Sequence, residues 1–295
     1  MNYNFQTAAD LLSICGSEKL SLAEVMIRRE MAMDERSRED IYCEMQINLD
    51  TMRNSIEKGL EGEVRSVTGL SGNDAKKLFD NRDKAHMGVH MAEIIASSMA
   101  VVEVNAAMGK IVAAPTAGAS GILPAVLIVC GKERGWGDEK LIEGLFAAGA
   151  VGMLIASNAT IAGAAGGCQA ETGTGAAMAA ASLVELSGGT PQASLHAAAI
   201  AIKNVLGLVC DPVAGLVECP CIKRNAIGAA NAIVAADLAL AGITSMIPFD
   251  ECVMAMKSVG RTMHSDFKET ARGGLAATPT AKRITRELGL TEADG

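Results

Sequence analysis

Aromatic side chains are scarce in this chain, with one Trp, two Tyr and five Phe among 295 residues. That removes the stacking platforms on which single-stranded nucleic acids are held. Clustered basic charge is missing as well. The formal net charge is −8, from 26 Lys and Arg against 34 Asp and Glu. With no Lys/Arg cluster to displace phosphate counterions, a nucleic-acid partner is excluded. Neither a basic nor an apolar leader opens the chain at Met1-Asn-Tyr-Asn-Phe-Gln6, so a cytoplasmic location is expected. There the eight cysteines should be reduced thiols or metal ligands, not disulfides. They form no CxxC…CxxC ribbon, which disfavours structural zinc.

What the chain does hold is apolar mass: 49% of residues are hydrophobic, too many for a disordered segment. Charge is distributed unevenly along it. Residues 1–50 carry 15 charged side chains, whereas 144–210 carry three, Glu171, Glu185 and Lys203. The first part reads as short amphipathic helices. Thr7-Ala-Ala-Asp10 and Ser21-Leu-Ala-Glu24 are N-cap pairs, Ser37 caps a third helix, and Gly16 is expected to end the first. The remainder is rich in Ala, Gly, Met and Leu, and reads as helices near 90–110, 141–162, 173–187, 192–207 and 224–241. Gly-, Pro- or Asp-containing breaks separate them. The expected fold is therefore all-α, a compact Ala/Gly-rich bundle with its central helices buried all round. A charged helical arm over 1–62 is expected to pack on a body over 63–295.

Residues 144–170 carry no charge for 27 positions, enough to cross a bilayer. The stretch lacks an aromatic belt and flanking basic asymmetry, and from 156 to 181 it is largely Ala and Gly, so a buried helix is the reading and no membrane partner is expected.

Cysteines at the breaks carry the chemistry. Cys168 follows Gly166-Gly167, Cys210 precedes Asp211-Pro212, and Cys219-Pro-Cys221 leads into Ile-Lys-Arg-Asn225. Irregular backbone at such places offers free N–H groups, and thiolates select soft metals and iron–sulfur clusters. Three ligands from separate breaks would leave one metal position open, which is the arrangement of a Lewis acid. Cys15, Cys43, Cys130 and Cys252 sit in apolar helical surroundings and read as small core hydrophobes.

Several long motifs then occur in one order: Ser71-Gly-Asn-Asp-Ala-Lys-Lys77, Asn105 through Gly118, Gly121-Ile-Leu-Pro124, Gly166-Gly-Cys-Gln-Ala-Glu171, Cys210-Asp-Pro-Val-Ala-Gly215, Cys219 through Asn225 and Arg272-Gly-Gly-Leu-Ala276. On these the chain resembles the alpha chains of the iron–sulfur-dependent L-serine dehydratases over nearly its whole length. The resemblance implies a helical domain, a [4Fe–4S] cluster held by Cys168, Cys210 and Cys221, and Cys219 as a neighbour. It implies L-serine as substrate, with pyruvate and ammonia as products. A separate beta chain is the implied partner, because single-chain members carry a second domain. Some of those members also place a C-terminal Cys on the fourth iron, whereas this sequence ends Glu-Ala-Asp-Gly295.

Elimination of water needs donors for the substrate carboxylate and a base for its Cα proton. Thr116, Gly118 and Ser120, in a Gly-rich break before an apolar run, are the first candidates for carboxylate binding, and Ser157-Asn158 the second. Helix capping is the ordinary use of the same residue types. No base is assigned. His264, two residues from Asp266, is the one local candidate, and Lys110 is placed to pair with the carboxylate. His86 and His90 are spaced i,i+4 but share a polar stretch with Asp83-Lys84, and His196 reads as a satisfied histidine. Three other functions compete: cysteine β-elimination on the same scaffold, a pyridoxal-phosphate lyase using Lys110, and a non-enzymatic iron–sulfur redox protein.

Overall fold

Thr7, Ser21 and Ser37 stand in extended backbone, and each side chain accepts an N–H from the first turn. These caps open α1 (Ala8–Glu18), α2 (Leu22–Asp34) and α3 (Arg38–Glu61). Asp10 and Asp40 complete reciprocal capping boxes at the first and third, so orphan donors are satisfied on both sides. Gly16 does not end α1. The helix runs through it and stops at Lys19, whose left-handed backbone sends its N–H to Cys15 O. A helix-interior glycine is tolerated at modest cost, and the closing bond, not the glycine, defines this end.

The computed structural model describes residues 3–290. Beyond α3 come α4 (Asp74–Asp80), α5 (Val89–Ala106), α6 (Ile122–Arg134), α7 (Asp138–Asn158) and the one-turn α8 (Gly163–Gly166). They are followed by α9 (Cys168–Leu186), α10 (Pro191–Lys203), α11 (Cys221–Leu240), α12 (Phe249–Thr262) and α13 (Pro279–Glu287). Among the described residues there is no strand, only an isolated bridge between Cys210 and Lys268. The fold is all-α, as the composition implies.

Helix α9 forms the axis of the molecule. Every residue in it except Glu171 and Glu185 is buried, and it packs against α6, α7, α10 and α11. Small side chains make this possible, because ridges of Ala and Gly let helix backbones close up. Gly228 of α11 meets Ile122 and Thr172, for example, where a Cβ would collide. Helix α7 is long and apolar enough to cross a membrane by composition. Here it lies against α2, α3 and α9 as a core helix.

Three helix starts are closed by carboxylates from distant parts of the chain. Asp250 accepts from Ala8 N at 2.9 Å, Glu185 from Leu22 N and Ala23 N at 2.7 and 2.9 Å, and Glu103 from Asp74 N at 2.9 Å. Negative charge is favourable at these positive helix ends. Burial nevertheless holds the Glu185 carboxyl above its ordinary range, against the two N–H bonds that lower it. A raised folded-state value means that the native protein binds this proton more tightly than the unfolded chain. Its contribution to stability is therefore complete at low pH and is lost as pH rises through the folded value. Urea unfolding between about pH 4 and pH 7 should show this decline in the unaltered protein and a flatter profile in Glu185→Gln.

Candidate active site

Cys168 and Cys221 are the first residues of α9 and α11. Both thiols therefore stand at the positive end of a helix, where a thiolate is stabilised. Cys210 lies in the loop between α10 and α11, and a short bridge fixes it: its N–H donates to Phe267 O at 2.8 Å and its carbonyl accepts from Glu269 N at 2.7 Å. The thiols of Cys168 and Cys210 are hydrogen-bonded to each other, and Cys221 lies within electrostatic reach of Cys168. All three are buried, whereas Cys219 is exposed.

The environment sorts their protonation. The bond to Cys210 draws the Cys168 thiol down to about 6, helped by the Thr172 hydroxyl at 3.2 Å and by the Arg224 guanidinium. Cys210 is pushed strongly up by the same bond and by burial. Burial pushes the Cys221 thiol up to about 12, with the negative charge of Cys168 adding to it. Of the three, Cys168 is the thiol whose ionised form the site favours, with the buried Arg224 guanidinium beside it.

Arg224 is held for this task. It pairs with the buried Asp211 at 2.7 Å and donates to Val209 O at 2.8 Å. The other oxygen of Asp211 accepts from Leu275 N at 2.7 Å. Gly274, at φ 60°, lets that backbone approach, since any Cβ there would overlap the Asp211 carboxylate. The 116–121 loop closes over the opposite side. Thr116 Oγ1 donates to Glu171 Oε1 at 2.8 Å, and Asn225 spans the loop, donating to Gly118 O at 2.7 Å and accepting from Gly121 N at 3.0 Å. Glu171 Oε2 faces Cys210 Sγ at 3.9 Å. Burial raises the Glu171 carboxyl to about 7, and the negative charges of Cys168 and Glu269 add to the effect. A third side is walled by glycine alone: a Cβ on Gly163 would stand 2.6 Å from Glu171 Oε2 and 2.9 Å from Cys210 Sγ.

Among the described residues no three His, Cys, Asp or Glu groups are placed to hold a single metal ion. The donor set suits a different occupant. Three soft sulfurs, two of them at helix starts, with a side-chain-free wall at Gly163, fit the ligands of an iron–sulfur cluster.

Of the remaining candidates, Thr116 and Gly118 lie at this site against Glu171. Ser120 is fully buried and its hydroxyl is spent on Ala117 O at 2.7 Å. Ser157 and Asn158 line a separate cleft with Phe5 and Arg29, and no hydrogen bond links them to the cysteines. His264 sits on the 264–268 segment that pairs with Cys210, but its ring is exposed and Nδ1 accepts from Asp266 N at 3.3 Å. Lys110 is exposed. His86 lies in a turn before α5, so it shares no helix face with His90, which pairs with Glu133. His196 accepts from Ser245 N at 3.3 Å, as a satisfied histidine does. Cys15, Cys130 and Cys252 are buried, but Cys43 is exposed on the outer face of α3, contrary to the core reading. Residues that sequence reasoning passed over are Glu171, Asp211 and Arg224. Their signal was spacing: Glu171 and Arg224 each stand three residues after a helix-start cysteine, on the same face, and Asp211 adjoins Cys210.

A helical scaffold gathers three buried thiols, a guanidinium and a carboxylate beside one loop, a thiol-centred cluster distinct from a zinc ribbon. The chain belongs to the serine dehydratase alpha chain family, whose model matches residues 17–276. It is 49% identical over 286 residues to the probable L-serine dehydratase alpha chain of Bacillus subtilis, covering 96% of this chain and 95% of that one. The L-serine dehydratase alpha chain of Peptoniphilus asaccharolyticus is 43% identical over 291 residues, 98% of this chain and 99% of that one. L-serine dehydratase TdcG of Escherichia coli is 40% identical over 93% of this chain, which spans 62% of that protein.

Proposed function

We propose that the chain is the α subunit of an L-serine dehydratase, converting L-serine to pyruvate and ammonia in a reducing cytoplasm. The observation that carries this reading is the convergence of Cys168, Cys210 and Cys221 beside Glu171 and Arg224 in a chain of this family. Cys168, Cys210 and Cys221 would hold a [4Fe–4S] cluster, which supplies Lewis acidity toward the departing hydroxyl of serine.

The chain's own groups do the rest. Arg224, anchored by Asp211, balances the thiolate charge that three cysteines accumulate. Thr116, now bonded to Glu171, and Gly118 beside it are the groups we assign to the substrate carboxylate, while Ser120 shapes their turn. Glu171 has Oε1 tied by Thr116 and turns Oε2 toward Cys210, which supports Oε2 as the oxygen on this chain that would exchange a proton at the site. The Bacillus subtilis and Peptoniphilus asaccharolyticus alpha chains match this one over at least 95% of both lengths, whereas TdcG extends well beyond it. A second, beta chain is the natural source of that remaining part.

Iron and acid-labile sulfide, measured per chain after purification without oxygen, test the reading. Close to four of each is expected, with turnover of L-serine well above that of L-cysteine once the second chain is present. Iron-free protein after anaerobic reconstitution would overturn the cluster assignment, and preferential turnover of L-cysteine would overturn the substrate.

A further inference from the structure

Helix α11, which begins with Cys221, packs against α5, α6, α9 and α10 and leaves one line of side chains facing outward. The line runs Lys223, Ile227, Ala230, Val234 and Asp237. Its steps of four, three, four and three residues are those of a seam between two helices. An outward helix face is ordinarily polar, yet Ile227 and Val234 are 50% and 49% exposed, with Ala230 half-buried between them. The one polar residue between these two, Asn231, is turned aside: it donates to Ala201 O at 2.8 Å and accepts from Asn204 Nδ2 at 2.7 Å. Charge closes both ends, with Lys223 and Asp237 each seven residues from Ala230. The Lys223 side chain is 63% exposed, and the Asp74 carboxylate it bonds at 2.6 Å is also held by Lys77 at 3.0 Å. Asp237 is exposed, and its carboxylate makes no hydrogen bond or ion pair among the described residues. In either direction from Ala230, then, a β-branched aliphatic residue is followed by a charge, positive on one side and negative on the other.

We propose that this face of α11 is the contact with a second copy of the same chain, the two helices lying antiparallel about a two-fold axis near Ala230. A two-fold contact sets one surface patch against itself, so the patch must be its own complement. Reversing α11 about Ala230 places Ile227 of each copy on Val234 of the other and Lys223 of each beside Asp237 of the other. Alanine at the crossing lets the two backbones close up. Parallel copies would instead set Lys223 on Lys223 and Asp237 on Asp237, like charge on like. An unrelated partner requires no such symmetry, and the symmetry is what selects a second copy. The Cys221 ends of the two helices then lie about 27 Å apart along the pair, nine residues to either side of the axis at 1.5 Å per residue. Nothing in this rests on the dehydratase reading, because the contacting face holds no cysteine and the readout is mass.

Sedimentation equilibrium of the full chain, without oxygen and with a thiol reductant, tests it. The expected species has twice the 30.4 kDa mass of one chain, at concentrations of about 10 µM and above. Val234→Glu should weaken the dimer by about tenfold or more, because it sets a carboxylate on Ile227 of the second copy. Lys223→Glu and Asp237→Lys should each weaken it through like-charge contacts, and the double variant should restore it. These two residues stand about 21 Å apart along one helix, so a rescue cannot arise within a single chain. Circular dichroism reports whether each variant keeps its helices, and Val234→Glu, at an exposed position, decides the matter if a charge variant does not fold. A 30.4 kDa monomer at about 100 µM would overturn the proposal. A dimer that Val234→Glu leaves intact would do the same, since its contact lies elsewhere. A double variant no better than the two single ones would overturn the antiparallel pairing. A monomer whose assembly with the beta chain fails in Val234→Glu would give the face to that chain and end the second-copy reading.

Discussion

Cys168→Ser is expected to lose its iron and to lower L-serine turnover by more than about a hundredfold, beyond what removal of an outer-shell partner costs a metal site. The reason lies in how this sulfur is held. It opens α9, interacts with the Cys210 thiol, lies 3.2 Å from the Thr172 hydroxyl and faces Arg224. A serine hydroxyl at that place is a hard, poorly acidic donor and does not replace a thiolate toward iron. Cys210→Ser and Cys221→Ser should behave alike. Cys219→Ser is the internal control: Cys219 is exposed while Cys221 is buried, so its loss should leave iron content unchanged. Iron per chain and circular dichroism together check the set, since the first must fall while helix content stays. Full iron in Cys221→Ser with none in Cys219→Ser would exchange the two assignments.

Gly121→Ala should be among the most destabilising single-methyl changes in the chain, by about 3 kcal/mol or more. A Cβ there would overlap the carbonyl oxygen of Ser98 in the middle of α5, backbone against backbone. No rotamer change relieves such a contact, so either α5 or the start of α6 must move. Movement of Gly121 also withdraws its N–H from Asn225, a fully buried side chain that ties the 116–121 loop to α11. The urea midpoint measures the effect. Gly149→Ala in α7 is the matched control, with nothing within 4 Å of the new methyl. It should be neutral or stabilising by up to about 1 kcal/mol, the helix-propensity difference. Equal losses at both positions would remove the steric argument for Gly121.

Much of the fold was open to reading along the chain. The caps at Thr7, Ser21 and Ser37 were legible because an N-cap is a contact between residues three apart. The apolar helices were legible because Ala-rich, charge-free segments have few other stable forms. Helix ends were less so. Gly16 invited a stop that α1 ignores, and Cys168, expected before a helix near 173, is instead its first residue. The three cysteines stood out as thiols at Gly- and Pro-marked breaks. Their relation to Glu171 and Arg224 did not, because it depends on α9 and α11 starting side by side.

The sequence by itself determined what is local: a helical chain, its start signals, and thiols set where backbone turns irregular. Only the tertiary structure decided which distant groups meet. It brought Glu103, Glu185 and Asp250 to helix starts far from them in sequence. It joined Asp211 to both Arg224 and the 274–275 turn, and it separated Ser157 and Asn158 from the cysteines into a cleft with Arg29. The physical reason is that capping and helix propensity act over three or four residues. Burial of a charge and the partner it then requires are properties of the packed interior, which residue spacing does not record.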